Sequence, residues 1–380
     1  MLTEVTGDRA LWLETTSRFM ETACPMSRVR ELVDDERGFD EAWLRQGAEL
    51  GWFSLLVDEA HGGGSVSGDG VVDAALLAYE CGRHVQPGPL LPMSVVAAAL
   101  GRVGSDEQRA TVLPALLAGG TVAAWAPLDA HGRFDEEVGL SATPTAGGYR
   151  LDGVRGTVQD AHAASWLLVT AALDGAPTQF LVPKDAPGVT VRPRACLDLA
   201  RRVADVRLEG VEVDTRTLVG APGGAADELE RQLEEALVLQ CAETAGAINE
   251  LFARTVQYTK DRIAFGRPIG SFQGLKHLMA DVGLWVETAT AGAHVAAEAL
   301  QVDDPQAAPI VSSVKAYVGD VGVDVVQQCL QLHGGIGYTW EHDLHLFLRR
   351  VTTNRALYGD PAWHRERLWR LATSSAAVPA

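Results

Sequence analysis

Gln331-Leu-His-Gly-Gly-Ile-Gly-Tyr338 interrupts a region whose apolar residues otherwise recur at helical spacing. Three glycines in four positions weaken a helix, because glycine loses more backbone freedom on ordering than any other residue. The same glycines leave backbone N–H groups bare, so a flat or anionic group can lie directly on the chain. Taken alone, such a cluster is equally the signature of a kinked helix end. A second stretch, Asp261-Arg-Ile-Ala-Phe-Gly-Arg-Pro-Ile-Gly-Ser-Phe-Gln273, holds Arg262 and Arg267 around a Phe-Gly turn between two helical patterns. Ser271 is predicted to cap the second of those helices. A helix start beside a guanidinium attracts an anion; the plainer reading is a connector with solvated arginines.

Outward from these stretches the chain divides into three. Residues 1–120 read as an all-α region. Leu11, Leu13, Phe19 and Met20 open an apolar face, DGVVDAALLAYECGRHV repeats it, and Ser105-Asp106 caps DEQRATVLPALLAGG. HGGGSVSGDG (61–70) reads as a loop in which Ser67-Gly68-Asp69 prepares the next helix. Residues 121–220 hold short runs of β-formers, among them VAAWAP, SWLLVTAAL, TQFLVP and ADVRLEGVEV, separated by Gly, Pro and Asp turns. They predict a central antiparallel β domain. Residues 221–380 return to the helical period. Leu237, Cys241, Ala245, Ile248, Leu251 and Phe252 form one stripe, Leu275 to Val286 a second and Val311 to Val325 a third, as in a C-terminal four-helix bundle. The fold class is α+β. The tail ATSSAAVPA reads as disordered.

The composition, 47% hydrophobic with 22% charged residues, is that of a globular protein with a large interior. A net charge of −18 repels phosphate, which argues against nucleic acid or an anionic membrane as a partner. No apolar run reaches the length of a membrane span, and the acidic N-terminal stretch lacks a signal pattern. These features predict a cytoplasmic protein. The five cysteines are scattered with no C-x-x-C pair, which suits reduced thiols. His342-Asp-Leu-His345 and Trp363-His-Arg-Glu-Arg367 carry histidines, but neither offers a complete ligand set. A solvated helix face is the expected reading, and no metal is expected.

Together, ELGWFSLLVDEAHGGG, LVPKDAPGVTVRP, DVRLEGVEV, RIAFGRPIGSFQ, QLHGGIGY and LFLRR resemble the acyl-CoA dehydrogenase family over almost the whole chain. The resemblance implies the three-part fold, FAD as cofactor, an acyl-CoA substrate and a dimeric unit with FAD across the subunit interface. It implies that Arg262 pairs with the pyrophosphate of a neighbouring chain's FAD, that Phe265 packs on that cofactor, and that Gln273 lies close by. Gln331, Gly334 and Gly335 would hold the adenosine side, with His333 covering the adenine.

Elsewhere the sequence departs from the family. The reaction needs a carboxylate base above the substrate's α-carbon. At one usual glutamate position this chain has Tyr358; tyrosine, with an ordinary pKa near ~10, is a poor base. At the other usual position it has Ala236. Asp360, two residues from Tyr358, and Glu235 are the candidate substitutes. The flavin-facing strands also differ, with Trp125-Ala-Pro-Leu-Asp-Ala-His-Gly-Arg133 and Thr157-Val-Gln159 where relatives carry hydrogen-bonding motifs. The expectation is a base-lacking subunit of a heteromeric (α2β2) acyl-CoA dehydrogenase, partnered by a homologous subunit that carries the glutamate, with a bulky CoA thioester such as a steroid fragment as substrate. The alternatives are a homomeric dehydrogenase with a relocated base, a flavin-dependent monooxygenase on the same scaffold, and a purely structural partner.

Overall fold

A computed structural model describes residues 7–134 and 139–376. Its N-terminal part is helical: α1 (Gly7–Ala23), α2 (Met26–Glu31), α3 (Glu41–Glu49), α4 (Gly70–Arg83), α5 (Leu90–Val103), α6 (Asp106–Thr111) and α7 (Leu113–Leu117). α4 is buried almost end to end, and its two buried carboxylates are paired, Asp73 with Arg9 at 2.7 Å and Glu80 with Arg83 at 3.0 Å. Ser105 caps α6 through a capping box, its hydroxyl accepting from the Gln108 N–H at 3.2 Å while the Gln108 side chain accepts from the Ser105 N–H at 3.0 Å. Asp69 precedes α4, but its side chain caps nothing there.

The central strands are β1 (Ala123–Ala126), β2 (Leu140–Thr145), β3 (Gly148–Gln159), β4 (Trp166–Leu173), β5 (Ala176–Pro183), β6 (Val189–Arg194), β7 (Val203–Asp214) and β8 (Leu218–Val219). They run in the order β6-β7-β3-β2-β4-β5-β8, with β1 against β4. The sheet is mixed, which corrects the expected all-antiparallel domain. β1 and β2 each pair with β4 in parallel. The hairpins β2–β3 and β4–β5 supply antiparallel pairs, but β1 reaches β4 only after the β2–β3 hairpin has intervened, and so long a connection permits a parallel partner. The sequence shows strands and turns; it does not show which strand a returning chain joins.

The C-terminal part begins with α8 (Ala226–Asp261), whose 36 residues span about 54 Å at the rise of an α-helix. A two-residue hairpin, β9 (Ile263–Ala264) and β10 (Arg267–Pro268), leads into α9 (Gln273–Gln301). α10 (Ala307–His333), α11 (Leu344–Ala356) and α12 (Pro361–Ala376) complete the bundle. The first five residues of ATSSAAVPA therefore lie on α12, against the expectation of a disordered tail, and the last four lie outside the described residues. α4 crosses α8 with their backbones in contact. A Cβ on Gly82 would stand 1.9 Å from the Glu243 carbonyl oxygen, and one on Gly246 would stand 1.9 Å from that of Tyr79. This close crossing welds the N-terminal helices to the bundle. No helix among the described residues is long and apolar enough to cross a membrane.

Candidate functional site

Two separate regions hold most of the residues singled out by sequence: an exposed surface at one end of the bundle, and the buried junction of the three parts.

At the surface, Arg262 ends α8 in extended conformation and begins the β9–β10 hairpin. Phe265 and Gly266 form its turn with φ of 54° and 76°, the doubly positive pair of a type I′ turn. Phenylalanine is strained there, and the residue is 94% exposed. Phe265 leans edge-on against Phe272 with ring centroids 6.1 Å apart, while Arg267 lies 4.1 Å over the Phe272 ring. The Arg262 side chain is exposed and has no ion-pair or hydrogen-bond partner among the described residues, although most arginines of this acidic chain have one. Gln273 is the exposed first residue of α9. Ser271 does not cap that helix; Phe272 holds the cap position, and the Ser271 hydroxyl is buried without a protein partner.

The glycine segment lies at the same end. Tyr258, one turn before Arg262, stacks on His333 with centroids 4.4 Å apart, and its hydroxyl donates to the His333 carbonyl at 3.3 Å. That contact joins the end of α8 to the end of α10. Gln331, Gly334 and Gly335 are exposed beyond it. Gly334 has φ 64° and ψ −145°, a conformation essentially confined to glycine. Neither it nor Gly335 would bring a Cβ within 4 Å of another atom. Backbone geometry fixes the first glycine, and the second fronts open space. His333 itself is buried. The Tyr258–His333 contact thus sets Arg262, at the end of α8, at the same end of the bundle as Gln331, Gly334 and Gly335.

Trp125, Gln159 and Tyr358, also named from sequence, lie in the interior. Trp125 and Tyr358 are both buried, with ring centroids 5.3 Å apart. The Trp125 indole donates to Gln232 Oε1 at 2.8 Å, and Gln232 exchanges hydrogen bonds with Gln179. Burial pushes the Tyr358 hydroxyl further above its ordinary pKa, so it is no base. Gln159, of the Thr157-Val-Gln159 segment, donates to the Gly88 carbonyl and to Asp160. The cavity between Gln86, Gly88, Gln159, Arg201, Leu239 and Glu243 measures about 30 Å³, room for one or two waters.

A buried ion cluster fills this junction. Arg350 of α11 is 0% exposed and donates to Asp198, to Glu243 at 2.7 Å and to the Gln86 carbonyl at 3.1 Å. Arg201 donates to Glu243 and Asn354, and the Asn354 amide donates to Glu243 at 2.8 Å. Burial alone would raise the Glu243 pKa, but the Arg201 and Arg350 guanidiniums outweigh it and hold the carboxyl below the usual range. Sequence reasoning missed Glu243. It follows Ala236 by seven residues, so the two share a helix face, and that spacing was the available signal. With both oxygens held by guanidiniums, Glu243 is a structural anion and not a proton acceptor.

Neither candidate substitute base faces this junction. The Asp360 carboxylate accepts from the Trp363 N–H at 2.8 Å and so caps α12 at an exposed position. Glu235 is buried against Arg102 at 2.6 Å and Arg231 at 3.1 Å, tying α5 to α8. The histidine segments are not solvated faces either. His364 is fully buried, and burial lowers its pKa to about 3. His345 stacks on Trp340 with centroids 4.6 Å apart. Among the described residues no three His, Cys, Asp or Glu side chains are grouped to hold a metal.

Comparison with known proteins follows the same outline. The acyl-CoA dehydrogenase N-terminal domain profile matches residues 6–120, and the C-terminal domain profile matches residues 227–372. The acyl-CoA dehydrogenase IpdE2 of Mycolicibacterium smegmatis is 30% identical over 96% of this chain and 97% of its own. Among solved structures, the ChsE4–ChsE5 complex from Mycobacterium tuberculosis contains a chain superposing with TM-score 0.87 at 26% identity, covering 99% of both. A chain of the Tcur3481–Tcur3483 steroid ACAD superposes with TM-score 0.86 at 27% identity, covering 97% of this chain and 99% of its own.

Proposed function

This chain belongs to the acyl-CoA dehydrogenase family of oxidoreductases, and from that premise we propose that it is the base-lacking member of a heteromeric enzyme. The observation that carries the reading is the contrast between its two regions. The junction where a family member would run its own chemistry is closed by Arg201, Glu243, Arg350 and Asp198 and leaves about 30 Å³. The face bearing Arg262, Phe265 and the glycine turn stands open and unpaired.

The family's cofactor, FAD, fits one region and not the other. The unpaired Arg262 guanidinium suits a pyrophosphate, and the open faces of Gly334 and Gly335 suit an adenosine lying flat on the backbone. The strained, exposed Phe265 ring awaits an apolar cover. On the strands that the resemblance sets against the ring, the Trp125 and Gln159 side chains are buried and already donate to Gln232, to the Gly88 carbonyl and to Asp160, so neither offers a donor to a flavin ring. When bound in a family member, FAD accepts the hydride that leaves the substrate's β-carbon. In this reading the chain holds the nucleotide tail, and a homologous partner supplies the ring's seat, the glutamate and the acyl-CoA pocket. Steroid-related thioesters are the favoured substrate class, since one structurally similar assembly is named a steroid ACAD.

Co-expression with a glutamate-bearing homologue tests this. The complex should carry FAD and oxidise acyl-CoA, and Arg262→Ala in this chain should strip flavin from it while the chains stay associated. Flavin bleaching by acyl-CoA with this chain alone would overturn the reading. A homomeric enzyme using Asp360 or Glu235 is disfavoured, because both carboxylates are committed elsewhere.

A further inference from the structure

The segment between the glycine turn and α11 contains the His342-Asp-Leu-His345 motif, which the proposed function leaves unused. His342 is half buried. Its Nδ1 accepts from the Leu344 N–H at 3.2 Å, the first backbone donor of α11. A backbone N–H can only donate, so this bond requires the neutral ring with an unprotonated Nδ1. The Asp343 side chain occupies the cap position without capping; it is turned to Arg30 of α2 at 2.7 Å. Loss of the His342 bond therefore leaves the start of α11 without a side-chain cap.

The surroundings are hostile to a second positive charge. From α8, Arg254 lies 3.9 Å from Asp343 and Tyr258 stacks behind His333. From α10, the His333 ring meets that of His342 at 4.9 Å. From α2, Arg30 donates to the Trp340 carbonyl and lies 5.9 Å over the Trp340 ring. From α11, His345 stacks on that same Trp340 ring, with Arg349 one turn on. The Asp343 carboxylate beside His342 is already shared by Arg30 and Arg254. Burial and the neighbouring His333 together lower the His342 pKa, in keeping with this geometry.

We infer that His342 is a proton-sensitive latch: protonation breaks its bond to the Leu344 N–H and frees the segment from Gly334 to Asp343. The released segment carries Ile336, Tyr338 and Trp340, all well exposed, together with Gly334 and Gly335. In acid the chain then loses the shape of this face. The latch is a property of the single chain. Its consequence for a partner's FAD rests on the proposed function.

Hydrogen–deuterium exchange on the full-length chain tests it without partner or flavin. Exchange of peptides covering 334–346, corrected for the intrinsic pH dependence, should rise about fivefold between pH 7.5 and 4.5, a range that reaches well below the ordinary histidine pKa, the shift expected when one helix-cap acceptor is lost. Peptides from α4 should not change. His342→Asn keeps an acceptor that does not titrate, and in that variant the rise should vanish. A wild-type profile that stays flat overturns the latch, as does an equal rise in the variant. If the variant fails to fold, the His342 ring is followed by NMR in the wild type. There a titration unaccompanied by a shift of the Leu344 amide resonance overturns it.

Discussion

Replacing Arg350 by methionine probes the junction most directly. The side chain is fully buried and makes three bonds, to Asp198, Glu243 and the Gln86 carbonyl, one into each of the three parts of the chain. Methionine keeps the apolar stem but removes the charge. Arg201 remains 3.8 Å from Asp198 and still bonded to Glu243, so the two carboxylates are not wholly abandoned. Breaking a buried ion pair by removing one partner costs about 3–5 kcal/mol, and the surviving Arg201 puts the expectation near the lower end. Arg349→Met is the control. Arg349 is half buried and donates to one carbonyl, that of Leu197, so its loss should cost less than about 0.5 kcal/mol. Urea unfolding at pH 7.5, with midpoint and slope fitted together, measures both. The Glu243 pKa is depressed in the folded state, so its stabilisation is present above the unfolded carboxyl pKa and disappears as pH falls through the lower folded value. The wild-type advantage over Arg350→Met should therefore persist from pH 8 to below about 4.5. A loss under 1 kcal/mol, or one matching Arg349→Met, would refute the idea that this cluster fixes the closed junction.

Other outcomes follow from the same geometry. Asp160 is buried and its pKa is pushed up to about 7 by that burial, so the folded state holds a proton the unfolded chain releases, and stability falls as pH rises from about 4 to 7. Asp160→Asn should stabilise the chain by roughly 2–4 kcal/mol at pH 8 and by little at pH 4, read from paired urea curves. Gly334→Ala should cost about 1–3 kcal/mol through φ alone. Gly335→Ala should leave melting unchanged yet lower the flavin content of the complex, because its methyl points into open space. Gly246→Ala should leave little soluble protein, since its Cβ would overlap the Tyr79 carbonyl oxygen. Tyr358→Glu should give no self-sufficient dehydrogenase in a flavin-bleaching assay, as the new carboxyl would be buried against Trp125.

What the sequence determined by itself was local. The helical stripes, the β-forming runs between Gly and Pro turns, the Ser105 cap and the bare glycines at 334–337 follow from periodicity and backbone preference among near neighbours. So does the open face: a two-residue turn at Phe265-Gly266 and a glycine at 334 announce their conformations within a few residues. The interior was decided only by the tertiary structure. Arg350 meets Asp198 across 152 residues and Glu243 across 107, and no local pattern encodes such partners. The same holds for β1 joining β4 in parallel, and for Glu235 and Asp360 being drawn away to Arg102 and to the start of α12. A carboxylate's identity is written in the chain, but whether it is a base, a cap or half of an ion pair depends on which distant charge and how much water the fold sets beside it.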